Sequence, residues 1–61
     1  MQEHAYRAFE IGEDGHVIGR ADLRFCRNDT AAKVFAKRLV DDRPIEVWDG
    51  ARLLARFEPR Q

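Results

Sequence analysis

The sequence is poor in the residues by which small proteins most often declare themselves. It holds one cysteine, one tryptophan, one tyrosine and two prolines in 61 residues. A lone Cys26 cannot close an intrachain disulfide, so the stapled framework of small secreted domains is excluded and a reducing, cytoplasmic setting is expected. Charge of one sign is missing too, since 11 Lys and Arg face 11 Asp and Glu. The basic excess with which nucleic-acid binders neutralise phosphates is therefore absent. No apolar run approaches membrane-spanning length, and Met1 to Arg7 lack the basic-then-apolar order of a secretory leader. Neither membrane insertion nor standard secretion is expected.

What the chain does have is one turn chemistry used twice. Glu13-Asp14-Gly15 lies between Phe9-Glu10-Ile11 and Val17-Ile18, and Trp48-Asp49-Gly50 lies between Ile45-Glu46-Val47 and Leu53-Leu54-Ala55. Asp-Gly between alternating apolar residues signals a β-hairpin, because glycine enters a left-handed backbone at no steric cost. From His16 to Cys26 the alternation is strict, with Val17, Gly19, Ala21, Leu23 and Phe25 on one side. A three-residue loop closing on Gly15 sets Gly12 opposite His16, Ile11 opposite Val17 and Phe9 opposite Gly19. Arg7 then turns inward beside Ala21, a misfit relieved either by a first strand that begins near Ala8 or by a bulge at Arg7-Ala8 that brings Tyr6 into the core. In the second hairpin Ile45, Val47, Leu53, Ala55 and Phe57 are all odd-numbered, so a shared face predicts an odd loop, Trp48-Asp49-Gly50.

Between the hairpins, Ala31, Ala32, Phe35, Ala36, Leu39 and Val40 recur at three- and four-residue intervals after Asn28-Asp29-Thr30, which predicts a capped amphipathic helix. Asp41-Asp42-Arg43 before Pro44 ends it, because the residue ahead of a proline resists helical geometry. The expected organisation is one domain over 1–61: a hairpin over 6–26, a helix over 29–41, a hairpin over 44–58, and residues 1–5 frayed. The fold class is α+β, a ββαββ chain whose four-stranded, mainly antiparallel sheet carries the helix on its odd-numbered face. The two hairpins are expected to meet antiparallel through the first or the fourth strand. A domain this short buries only about 60% of its unfolded surface, so its core must be nearly perfect or shared.

The even-numbered face, left to solvent or a partner, is the candidate interaction surface. It is expected to present Ile18, Arg20, Arg24, Arg52, Leu54 and Arg56, with Trp48 at the turn and Cys26 at the strand end. Tryptophan and arginine are residue types enriched at interaction hot spots. The bland alternative pairs the four arginines with Glu10, Asp22, Glu46 and Glu58 across strands. His4, His16 and Cys26 are scattered, so neither a metal site nor any cofactor is expected. Cys26 has no histidine placed to take its proton, Asp14 and Asp49 are explained by turns, and the Asp41-Asp42 pair, mildly unfavourable against the dipole at a helix end, has no local explanation and names no site. With little room for both a core and a pocket, no catalytic residues are assigned and an enzyme is not expected.

The run Tyr6-Arg7-Ala8-Phe9, then Asp14-Gly15-His16-Val17, Ala36 to Val40, and Ile45-Glu46-Val47-Trp48 before Leu53-Leu54-Ala55-Arg56, resembles small ββαββ proteins of rhizobia and related alphaproteobacteria. The resemblance implies a bacterial cytosolic setting and carries no activity. The functional expectation is a non-enzymatic interaction module, a homodimer or an accessory to a bacterial protein partner, working through the outer sheet face or a strand edge. The alternative is a small nucleic-acid-binding regulator using the arginine-bearing face.

Overall fold

Both Asp-Gly sequences turn the chain, and they do so by different arithmetic. The computed structural model describes residues 4–59, with strands β1 (Tyr6–Ile11), β2 (Val17–Asp22), β3 (Ile45–Asp49) and β4 (Arg52–Phe57), and one helix, α1 (Asp29–Arg38). Gly15 and Gly50 hold φ of +87° and +60°, the left-handed values for which glycine is the cheap residue. In the first hairpin the loop is Glu13-Asp14-Gly15, as expected. Gly12 N donates to His16 O at 2.7 Å, and Ile11 lies opposite Val17. Asp14 adds an acceptor for His16 N at 3.1 Å, and its carboxyl is held below the ordinary range by that side chain and backbone.

The misfit at Arg7 is relieved by a bulge, placed elsewhere than Arg7-Ala8. The register slips between Glu10 and Ile11, so that Glu10 opposes Gly19 while Ile11 opposes Val17, leaving Ile18 as the extra residue on β2. Tyr6 and Ala8 turn inward and Arg7 and Phe9 turn out. Phe9 therefore opposes Arg20 rather than Gly19, and it is Glu10 that lies over the bare Gly19 backbone.

In the second hairpin the odd loop is not used. Asp49 pairs with Arg52 across a two-residue turn at Gly50 and Ala51, and a bulge between Val47 and Trp48 leaves Leu54 as the extra residue on β4. One residue is needed to bring Val47, Ala55 and Phe57 to a common face. The chain inserts it in the strand instead of the loop, which sends Leu53 outward opposite Trp48 and lets Leu54 pack on the core.

The sheet order is β2-β1-β3-β4, antiparallel throughout, so the hairpins join through β1 and β3. Helix α1 crosses β3 and β4. Its fully buried Ala32 and Ala36 let the helix approach closely enough to close a core with Tyr6, Ala8, Leu23, Cys26, Ile45 and Val47. The result is the expected ββαββ α+β fold. Asn28 caps the helix through Oδ1, which accepts from Ala31 N at 2.8 Å, while Asp29 in the first turn and Lys37 and Arg38 in the last complement the helix dipole. The helix stops at Arg38 rather than 41, because Leu39 N donates back to Ala36 O in a tight final turn.

Four expected core residues are not central. Val17, Phe25 and Leu53 are 56%, 62% and 49% exposed, and Leu39 at the helix end is exposed as well. Strand β2 ends at Asp22, not Cys26. The chain then turns at Arg24 and Phe25, which buries Leu23 and Cys26 and leaves Phe25 outside. Of the stretch expected to fray, residues 1–3 lie outside the described residues, while His4 and Ala5 are held by Asp49.

Candidate functional site

The face of the sheet opposite α1 is built from two rows of paired residues. Arg20, Phe9, Glu46 and Arg56 form one, and Asp22, Arg7, Trp48 and Leu53 the other. Residues directly opposite on adjacent strands share a face, so these rows are contiguous. Acid and base alternate around the apolar groups: Arg7 Nε donates to Asp22 at 3.1 Å, and Arg56 Nη1 donates to Glu46 at 3.0 Å while its Nε reaches Glu58 at 2.6 Å. The Trp48 indole donates to the other oxygen of Glu46 at 3.0 Å, which fixes the ring across the strand. Phe9, Trp48 and Leu53 make the apolar centre, and Arg20 forms no ion pair among the described residues.

Of the expected surface residues, Arg20, Trp48 and Arg56 stand on this face. Ile18 is the exposed bulge residue near its end, where Cγ2 lies against the space a Gly12 Cβ would fill. Arg24 is in the turn beyond β2, beside His4, Tyr6 and Arg7. Arg52 and Leu54 are not on the outer face, because the bulge at Leu54 reverses the parity that assigned them there, and Cys26 is in the core. Burial pushes the Cys26 thiol up, the opposite of what a nucleophile needs. Strict parity puts Phe9 and Leu53 on the core side and makes Arg7 a misfit there; that misfit is the sequence's signal that the register slips.

Arg52 belongs to a polar cluster at the end of the sheet where β1, β3, β4 and the start of α1 converge. Its Nη2 donates to Asp49 Oδ2 at 3.1 Å and to both Asp29 oxygens at 3.3 Å. Tyr6 OH donates to Asp29 at 2.7 Å, Ala5 N donates to Asp49 at 2.9 Å, and His4 Nδ1 lies 2.7 Å from Asp49, its ring stacked on Tyr6 at 4.7 Å. Burial and then the Asp29 carboxylate push the Tyr6 phenol up to about 12. Asp29 is held below the ordinary carboxylate range by the Tyr6 hydroxyl and Arg52, and Asp49 by the Ala5 amide and His4.

Ligand atoms of His4, Asp29 and Asp49 all lie within 4.8 Å of one another, a grouping that sequence distance concealed. The Arg52 guanidinium already supplies the cation between the carboxylates. Chemically the cluster is a latch that ties the first described residues to both hairpins and the helix start. No family model, curated protein or solved structure matches this chain.

Proposed function

We propose that the protein is a non-enzymatic interaction module that self-associates through the outer sheet face. The observation that carries this is the apolar centre of Phe9, Trp48 and Leu53, set in alternating acid and base on a sheet whose other face alone is covered by helix. A two-fold copy of such a face meets opposite signs around an apolar middle, the self-complementarity that an isologous dimer requires. Zero net charge leaves no long-range repulsion between copies.

The strand edges are poorer candidates. Both edge strands carry a bulge, at Ile18 and at Leu54, and charged side chains at Arg20, Asp22, Arg52 and Arg56. Bulges and charges are the devices by which sheets discourage edge pairing. Nucleic acid on the outer face has less support, since Arg52 is turned to the latch and Arg7 and Arg56 are neutralised by acids. The resemblance to rhizobial proteins is the support for a bacterial cytosolic setting.

Four strands at about 4.8 Å spacing, three of six residues and one of five, give a footprint of roughly 19 by 20 Å. That is small beside the roughly 800 Å² per partner of a stable complex, so the association is weak and concentration-dependent. Sedimentation equilibrium tests it: the wild-type chain shifts from monomer to dimer with concentration and Leu53→Glu stays monomeric. A wild type that is monomeric throughout, or a Leu53→Glu variant that dimerises equally, contradicts the proposal.

A further inference from the structure

Arg20 is the one charged residue in the two rows of the outer sheet face that its own chain leaves unpaired among the described residues: Arg7 is held by Asp22, and Arg56 by Glu46 and Glu58. Two positions further along β2, Asp22 turns to the same face and commits only Oδ1 to Arg7, at 3.1 Å. Its Oδ2 accepts no hydrogen bond among the described residues. Both residues are exposed on an edge strand. A free guanidinium and a half-used carboxylate thus stand in successive rows of one face without meeting.

Two copies of a sheet packed face to face with strands aligned are related by a two-fold axis that runs either along the strands or across them. An axis along the strands exchanges β2 with β4. It sets Arg20 on Arg56 of the second copy and Asp22 on Leu53, joining like charges and burying a carboxylate against an apolar side chain. An axis across the strands, between the two rows, lays each strand on its counterpart and exchanges the rows. Arg20 then meets Asp22 of the second copy, Phe9 lies against Arg7, and Leu53 lies on Arg56. Opposite charges fix register and like charges oppose it, and a guanidinium is attracted to the face of an aromatic ring. We infer that two copies pair about the axis across the strands, with Arg20 of each bound to the free oxygen of Asp22 in the other. Sheets packed face to face lie about 10 Å apart, a gap that an arginine and an aspartate extended toward each other span. The register rests on the self-association proposed above and names the residues that select the partner. It agrees with the monomer expected of Leu53→Glu, whose new carboxylate meets an Arg56 already shared by Glu46 and Glu58.

Charge exchange tests this by sedimentation equilibrium of the full chain. Arg20→Asp alone and Asp22→Arg alone each put two like-charge contacts into their own dimer, and each is expected to dimerise about tenfold more weakly than wild type. Mixed in equal amounts, the two variants restore both opposite-charge contacts. The mixture is expected to recover most of the wild-type dimerisation, less so as salt rises. Circular dichroism verifies that both variants keep the fold. Arg20→Met, which leaves the Arg7–Asp22 pair intact, is expected to weaken the dimer too, and it decides the question alone if Asp22→Arg does not fold. The register is overturned if wild type dimerises and the mixture stays as weak as its components, or if Arg20→Asp or Arg20→Met dimerises as wild type does. A wild type that is monomeric throughout removes self-association itself, and the register with it.

Discussion

Leu23 shows how little slack a core of this size has. It is 1% exposed, directly after β2, and its amide donates to Tyr6 O at 2.9 Å, so it seals the core where the sheet ends. Truncation of a buried leucine costs about 2–5 kcal/mol, against a total stability of roughly 3–9 kcal/mol for a chain of this length. Leu23→Ala is therefore expected to unfold much of the population, read as a lowered urea midpoint or loss of the transition. Tyr6 supplies a second residue-scale prediction, because it is the chain's one tyrosine and its ionisation is directly visible in the ultraviolet. The folded phenol keeps its proton to about 12, against 10.0 for a free one, so its contribution is complete below pH 10 and drains away as pH rises between the two values. Asp29 and Asp49 carry the opposite sign. Held below their ordinary values, they support the fold above the usual carboxylate range and lose that support as pH falls through it. Replacing Arg52 with methionine should flatten the acid limb of a stability profile, and an unchanged limb would show that the latch is not its cause.

At the scale of elements, strand parity decides the structure, and two bulges decide the parity. The hairpins, the helix and the face of Val47, Ala55 and Phe57 were legible in the sequence, because turn chemistry and periodicity are local signals. What was not legible is where the chain takes up one extra residue. A three-residue loop and a two-residue loop followed by a bulge put Val47, Ala55 and Phe57 on one face equally well; they differ in the sides given to Leu53, Leu54 and Arg52 and in Trp48 and Asp49, which leave the loop for β3. Those are the residues whose assignment changed, and the latch was hidden because Arg52 depends on that choice and Asp29 and Asp49 already had local explanations in a helix start and a turn. Phe25 was misplaced for a related reason: alternation continues through Cys26 in the sequence, but pairing with β1 ends at Asp22. A substitution and a deletion test the bulge. Leu54→Ala keeps the residue count and is expected to fold with a loss of about 1–3 kcal/mol, and deleting Leu54 removes only the bulge residue, leaves Ala55 opposite Val47 and Phe57 opposite Ile45, and is expected to keep a cooperative transition with a loss of similar size. Loss of the cooperative transition on deletion, with Leu54→Ala still folded, would contradict the assigned bulge.

At the scale of the whole molecule, the proposed dimer sets a sheet covered on one side by a single short helix against a second copy through its other side. The position of Trp48 on that face, as the chain's one tryptophan, makes it a built-in reporter of the proposed contact. The most direct measurement follows Trp48 emission and molecular mass together through one dilution series. Emission is predicted to move to longer wavelength over the same concentrations at which dimer gives way to monomer, as the indole returns to water. Constant emission while the mass halves would place the contact elsewhere, and a constant monomeric mass would remove the dimer altogether.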